Sequence, residues 1–355
     1  MKPKIAVAIS GGVDSLMAAY LLLQEGYRVE GIHFITGFEL AGSDWTSADA
    51  ATHPISAIGE QLGIPVTLVD CRKKFQSSVV DYFVQTYRRG QTPNPCVVCN
   101  PRIKFGVILE EAIKSGAIML ATGHYARIQK TGDPVCRLFR GLDPEKDQSY
   151  FLARLSQQQL QQAAFPLGGL TKSKVTSLAC KKGFAPVVES ESQDVCFIKA
   201  HAYADFLESQ PGFKPRPGPI EDMDGNVIGE HQGLHRFTVG QRRGINCPAA
   251  DPYYVVRLDV EANRLIVGTR ADGLTGHCLV RSVNWIVSEP RMPKRVQVRV
   301  RYRHREVPAS VSMRERDAVR VHFETPQPAV TPGQAAVFYN GEEVLGGGFI
   351  DTEGP

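Results

Sequence analysis

Residues 4–15 constrain this chain more than any other stretch. Ile5-Ala6-Val7-Ala8-Ile9 is a run of small and branched apolar residues, the kind buried on both faces of a parallel sheet. It runs directly into Ser10-Gly11-Gly12-Val13-Asp14-Ser15, which opens a segment whose Met17, Tyr20, Leu21 and Leu23 fit a helix. A strand, a glycine-rich turn and a helix start in succession build an anion site. Glycine lets the backbone approach closely, and the first N–H groups of a helix have no internal partner. Ser10 and Ser15 add hydroxyl donors, and Asp14 would hold a magnesium ion or orient the loop. The string lacks the G-K-[ST] ending of a Walker A loop and is not a dinucleotide fingerprint.

Strand and helix patterns alternate beyond it. Residues 29–34, 66–69 and 118–121 read as strands, and 47–62, 75–88 and 105–114 as helices. This pattern predicts a doubly wound parallel α/β sheet over residues 1–205, with ligands outside the carboxyl ends of its strands. The alternation fades through the proline-rich stretch 210–219, and residues 206–274 read as a small mixed central domain that binds RNA. Residues 275–355 read as a C-terminal β-barrel, with turn signals at Thr331-Pro332-Gly333 and Asn340-Gly341. Arginines at 295, 299, 301, 303 and 305 alternate with apolar residues. They predict one strand with a basic face for phosphates, and Arg242-Arg243 adds a second phosphate contact.

With 43% hydrophobic and 22% charged residues, the 355-residue chain is globular, and it is long enough for two or three domains. No apolar run nears the roughly 18 residues of a membrane span, and residues 1–5 carry no signal-peptide pattern. The expectation is a cytoplasmic protein with no membrane contact. In that reducing compartment the eight cysteines are not a disulfide framework. Cys96 and Cys99 form a C-x-x-C in a proline-rich loop between two predicted helices, and Cys196 lies in the polar stretch 189–198. Such thiols could converge beside the nucleotide as nucleophiles or persulfide carriers, or bind a cluster or zinc. Cys71, Cys136, Cys180, Cys247 and Cys278 read as structural. His124 reads either as an acid or base or as a packing residue that positions ATP.

The string 10–15 resembles the PP-loop of ATP pyrophosphatases, whose fold is adenine nucleotide alpha hydrolase-like and which split ATP into AMP and pyrophosphate. Further strings, in order, resemble one family closely, the bacterial and mitochondrial tRNA 2-thiouridylases (MnmA/TrmU). They are Leu62-Gly63-Ile64-Pro65, Thr92-Pro93-Asn94-Pro95, Cys99-Asn100, Lys104-Phe105, and Ala121-Thr122-Gly123-His124-Tyr125-Ala126-Arg127. Lys146-Asp147-Gln148-Ser149-Tyr150-Phe151-Leu152, Ser192-Gln193-Asp194-Val195-Cys196-Phe197-Ile198, Gly240-Gln241-Arg242-Arg243-Gly244 and Pro332-Gly333-Gln334-Ala335 continue it to the end of the chain. The resemblance implies ATP-dependent 2-thiolation of the wobble uridine (U34) of tRNA, through a base adenylated on O2. Cys196 would carry sulfur as a persulfide, and Cys99 would act as nucleophile and resolve it as a disulfide. ATP would be met by Ala8, Ile9, Ser10, Gly11, Gly12, Val13, Asp14, Ser15, Phe34 and Gly123, with Mg2+. The tRNA anticodon stem-loop would be met by Asn94, Pro95 and Cys96 at the target base and by Lys146, Asp147, Gln148, Arg301 and Tyr302. A sulfur donor, whether cysteine desulfurase, relay protein or free sulfide, is implied as partner.

Two departures stand out. Most members of that family carry Asp where this chain has Cys96, and residues 34–40 lack the family's Met-Lys-Asn-Trp-like string. Three thiolates, Cys96, Cys99 and Cys196, would suit a [4Fe-4S] cluster with one open iron. Persulfide and cluster therefore both stay open here, and a structural zinc is a third option. Two other readings compete: a PP-loop amidoligase acting on a small metabolite, and a metal-binding RNA-binding protein without thiolase activity.

Overall fold

The computed structural model describes residues 2–39, 53–130, 135–188, 195–198, 203–248, 251–287, 292, 294–315 and 317–352. The buried run becomes β1 (Lys4–Ala8), and helix α1 (Val13–Gln24) follows the glycine turn. Next come β2 (Arg28–Ile35), β3 (Val66–Asp70) and β4 (Leu120–Ala121). Hairpin strands β5 (Ala126–Lys130) and β6 (Cys136–Arg140) and the short β7 (Ala163–Ala164) complete the N-terminal half.

The first sheet runs in the order β3-β2-β1-β4-β7, and every neighbouring pair in it is parallel. The chain winds away from β1 in one direction to β2 and β3 and in the other to β4. The crevice outside the carboxyl ends of β1 and β4 is thus the switch point where such sheets bind ligands. Both faces are covered. Ile5, Val7 and Ile9 pack with Leu16, Met17 and Ala19 of α1 on one side, and Ala6 and Ala8 face Phe75, Val79 and Phe105 on the other. That two-sided burial is why the β1 sequence carries no alternation.

The predicted helix 47–62 appears as Ser56–Leu62; residues 47–52 lie outside the described residues. A larger difference concerns the C-x-x-C, which was expected in a loop. Cys96 and Cys99 stand in a helical turn, Pro95–Cys99, continued by the wider helical stretch Asn100–Ile108 and by Leu109–Lys114. Asn94 caps its start through Val97 N–H (3.4 Å), and Pro95 fits the first helical position, where no N–H is needed.

The central domain is a four-stranded sheet in the order β10-β11-β8-β9, with β8 (Gly218–Glu221), β9 (Val227–His231), β10 (Tyr254–Asp259) and β11 (Arg264–Gly268). The last third supplies β12 (Leu274–Trp285), β13 (Lys294–Arg299), β14 (Val307–Glu315), β15 (Ala318–Pro328), β16 (Ala335–Asn340) and β17 (Glu343–Asp351). These run in the order β12-β15-β14-β13-β16-β17, and β12 pairs with β17 to close a barrel around Val280, Val298, Val311, Val321 and Phe338. The hairpin β5–β6 of the N-terminal half extends this barrel's sheet, Phe139 and Leu138 opposing Glu343 and Val344 of β17. The expected basic strand is shorter than its alternation suggests. It ends at Arg299, whose guanidinium folds back to donate to the carbonyls of Tyr302 and His304 (2.9 Å to the latter), so Arg301, Arg303 and Arg305 sit in a turn. Among the described residues no helix is long and apolar enough to cross a membrane.

Candidate active site

The phosphate loop sits at the switch point. Gly11 has φ +91°, a conformation that a Cβ would strain. Ser15 Oγ donates to Gly12 O at 2.9 Å and accepts from Ser10 N–H at 3.2 Å, closing the turn on itself. No side chain caps the start of α1, which leaves its first N–H groups directed at the space a phosphate would take. From β4 comes Gly123, so close that a Cβ there would lie 2.8 Å from Asp14 C and 2.9 Å from Ser15 N. Phe34, half-buried near the end of β2, flanks the loop's strand. Two further elements grip the loop. Val187 and Val188 N–H donate to Gly11 O at 2.9 and 3.1 Å. Lys172 meets both oxygens of Asp14 at 2.8 Å, and the Tyr125 hydroxyl donates to Oδ1 at 2.8 Å. Asp14 as it stands is therefore an ion-paired carboxylate, and a magnesium ligand there requires Lys172 to move.

The second part of the site is thiol-rich. Cys99 is buried and Cys96 half-buried on the 95–99 turn. Cys196 is an exposed residue, yet protein surrounds its thiol closely enough to raise its pKa. What holds it there is its neighbour. Phe197 is 5% exposed and packs among Phe38, Phe75, Phe83 and Phe206 at ring separations of 5.3–5.8 Å. Burial pushes the Cys196 thiol up to about 12, with Cys96 adding to the rise, and raises Cys96 and Cys99 in the same direction. Cys96 and Cys196 both add to the rise at Cys99, so the three thiols lie within electrostatic reach of one another. Lys104 is the cation that offsets part of the effect at all three. Resting thiols here are protonated, and forming a thiolate needs a base or an arriving charge.

His124 follows Gly123 and is buried. Burial first, and Lys104 second, hold its pKa well below normal, so the imidazole is neutral. Its Nδ1 lies 2.7 Å from Thr122 Oγ1, and its Nε2 lies 3.5 Å from Lys104 Nζ. An ammonium can only donate, which makes Nε2 the acceptor and places the proton on Nδ1. His124 so links the nucleotide crevice to the thiol pocket through Lys104. Among the described residues no three His, Cys, Asp or Glu side chains are arranged to hold a metal ion. The three cysteines as placed do not fit the [4Fe-4S] cluster or the zinc that their number suggested, and no step below passes through either. Ser192, Gln193 and Asp194 of the Cys196 string lie outside the described residues.

The residues expected to meet tRNA divide into two sets. Arg242 and Arg243 are exposed, as are Arg303 and Arg305. Asp147, by contrast, is 3% exposed and accepts from Gly141 N–H (3.1 Å), Ser149 N–H (3.0 Å) and Ser149 Oγ (3.0 Å). Gln148 is spent on the backbone of Tyr125, accepting its N–H at 3.0 Å, and Lys146 is half-buried. Arg301 donates to Val239 O at 2.7 Å and to Thr331 Oγ1, bolting the central domain to the barrel. Tyr302 lies against Phe151 at 4.4 Å.

Sequence reasoning missed Lys172, and it gave Tyr125, Phe197 and Gln334 no role of their own. The Gln334 amide donates to Thr92 O and Pro93 O, both at 3.0 Å, and Thr92 N–H donates to Pro332 O at 2.8 Å. Thr92 Oγ1 meets Thr238 Oγ1 of the central domain at 3.0 Å. The segment that launches the Cys96–Cys99 turn is thus clamped by the barrel and the central domain together. Gln334→Ala leaves two carbonyls without their donor and should cost about 1–3 kcal/mol. Denaturant unfolding measures that loss, and faster alkylation of Cys99 would report the loosened turn.

Three family models cover the chain: the tRNA methyl transferase HUP domain over residues 3–200, the tRNA methyl transferase PRC-barrel domain over 204–269, and the aminomethyltransferase beta-barrel domain over 275–350. A protein of Desulfosudis oleivorans described as tRNA-specific 2-thiouridylase MnmA is 54% identical over 99% of this chain and 96% of its own length. Proteins so described from Geobacter metallireducens (43% identical, 99% of each chain) and Synechococcus sp. (42%, 100% of this chain and 95% of its own) are similar as well.

Proposed function

The chain belongs to the tRNA-specific 2-thiouridylase family, and from that membership we propose that it is an ATP-dependent tRNA sulfurtransferase acting on the wobble uridine. The observation that carries this reading is the adjacency of two chemistries. An uncapped phosphate loop and the three thiols that feel Lys104 are joined through consecutive residues, Gly123 against the loop and His124 beside Lys104.

ATP enters as its magnesium salt, with its phosphates on the N–H groups of the loop and α1. O2 of the uridine attacks the α-phosphorus, the bond to the bridging oxygen breaks, and pyrophosphate leaves with the electron pair. C2 now carries a good leaving group. A sulfur-donor protein has loaded Cys196 as a persulfide, and its terminal sulfur attacks C2, expelling AMP. Cys99 attacks the Cys196 sulfur, forming a disulfide and releasing the 2-thiouridine; a thiol reductant resets the pair. The positive end of Lys104 favours each thiolate as it forms. The exposed Arg242, Arg243, Arg303 and Arg305 offer phosphate contacts to the anticodon stem-loop.

The test uses iron-free protein, a U34-containing tRNA, ATP and a persulfide donor. One AMP and one pyrophosphate per 2-thiouridine are expected. Thiolation that appears only after anaerobic reconstitution with iron and sulfide overturns the persulfide route. AMP formation indifferent to tRNA overturns the substrate assignment.

A further inference from the structure

The loop 10–15 contains one charged residue, Asp14, and that charge has the wrong sign for a phosphate chain. A Walker A loop carries its own lysine to the β- and γ-phosphates; this loop carries none. The cation must come from elsewhere in the fold. Lys172 is placed to supply it. It is the first residue of helix Lys172–Lys182, 158 positions from Asp14 in the chain. Its main chain is fixed twice over: Thr171 caps the helix through Lys174 N–H (3.3 Å), and Lys172 N–H donates to Asp143 Oδ2 (2.8 Å). The chain beyond that helix returns to hold Gly11 O through Val187 and Val188. The segment therefore meets the loop at its two ends, and the Lys172 ammonium rests on Asp14 with its side chain 16% exposed against 31% for the carboxylate.

We propose that Lys172 is a phosphate-contacting catalytic residue of the ATP reaction, held on Asp14 beside the loop and transferred to the phosphate chain when nucleotide binds. The inference rests on the reading of this loop as an ATP site. Lysine has three donors on a flexible stem, so it can exchange one carboxylate oxygen for a phosphate oxygen with little rearrangement. The carboxylate and the Tyr125 hydroxyl set the direction of the stem in advance, which reduces the ordering cost on binding. In the transfer step the α-phosphorus–bridging-oxygen bond breaks and its electron pair goes to pyrophosphate. The ammonium neutralises that developing charge and keeps its proton throughout.

The test is binding and turnover of Lys172→Gln, which can still hydrogen-bond Asp14, together with Lys172→Met and Lys172→Arg in the full chain. The expected result is ATP affinity weakened about tenfold or more with adenosine affinity unchanged, since the nucleoside has no phosphate to lose. Pyrophosphate release with tRNA should fall about a hundredfold in the Gln and Met variants, with part of it restored by Arg. Equal weakening of ATP and adenosine would mean that Lys172 only shapes the loop, and unchanged ATP affinity would remove it from the site; either overturns the inference. Wild-type protein that binds ATP but releases no pyrophosphate with tRNA would sink the proposed reaction instead, and the ATP-to-adenosine comparison would still decide the lysine.

Discussion

Cys196→Ser and Cys99→Ser each lower tRNA thiolation by about three orders of magnitude or more, while pyrophosphate release with tRNA continues at the first turnover. Serine matches the thiol in shape, so the packing around Phe197 and the 95–99 turn survives. What it cannot do is hold a sulfane sulfur or close a disulfide. The two variants should differ in what accumulates. Without Cys196 no persulfide forms and the adenylated base waits for water. Without Cys99 the transferred sulfur stays attached to Cys196 and the tRNA is trapped on the protein. Mass spectrometry of digested tRNA and non-reducing gels of the reaction separate these cases. Full thiolation by Cys99→Ser would end the disulfide step. Cys96 is the informative third position. The persulfide route uses two thiols, so Cys96→Ala should stay within about tenfold of wild type. A cluster on three thiols requires Cys96→Ala to be as inactive as the other two.

Gly123→Ala should abolish productive ATP binding, and the reason is backbone against backbone. The added methyl would stand 2.8 Å from Asp14 C, 2.9 Å from Ser15 N and 3.0 Å from Asp14 Cβ. None of these is the far end of a flexible side chain. Relief requires the start of α1 to shift away from β4, and overpacking of this kind costs about 1–3 kcal/mol of stability. The functional loss should be larger than that suggests. The loop works by the aim of its N–H groups, and a displacement near 1 Å is enough to lose about a hundredfold in rate. Calorimetric titration with ATP and a thermal melt give the two quantities. ATP affinity within twofold of wild type would show that the loop has room to spare and that Gly123 is not a contact position.

Much of the catalytic framework is local and was legible. The two-faced burial of β1 is written in its unbroken apolar run, and the phosphate loop in Gly11, whose φ of +91° favours glycine whatever surrounds it. The basic alternation at 295–305 misled for a local reason that alternation cannot reveal. Arg299 satisfies the carbonyls of Tyr302 and His304 and turns the chain, so later arginines leave the strand register. Proline density in 92–95 likewise concealed a helix start, although Asn94 followed by Pro95 is itself a capping signal.

Other features lie between residues far apart in the chain. Lys172 reaches Asp14 across 158 positions and Gln334 reaches Thr92 across 242, and neither side chain carries a pattern that marks its partner. Asp147 and Arg301 look like free polar groups in the sequence, yet folding turns them into a buried turn clasp and a bolt between domains. Sequence alone determined the elements whose geometry is set by neighbouring residues: the buried strand, the glycine loop and the C-x-x-C spacing. Tertiary structure decided which charges face the loop, which side chains clamp the C-x-x-C turn and which arginines stay exposed, because those depend on packing distances that no local propensity encodes.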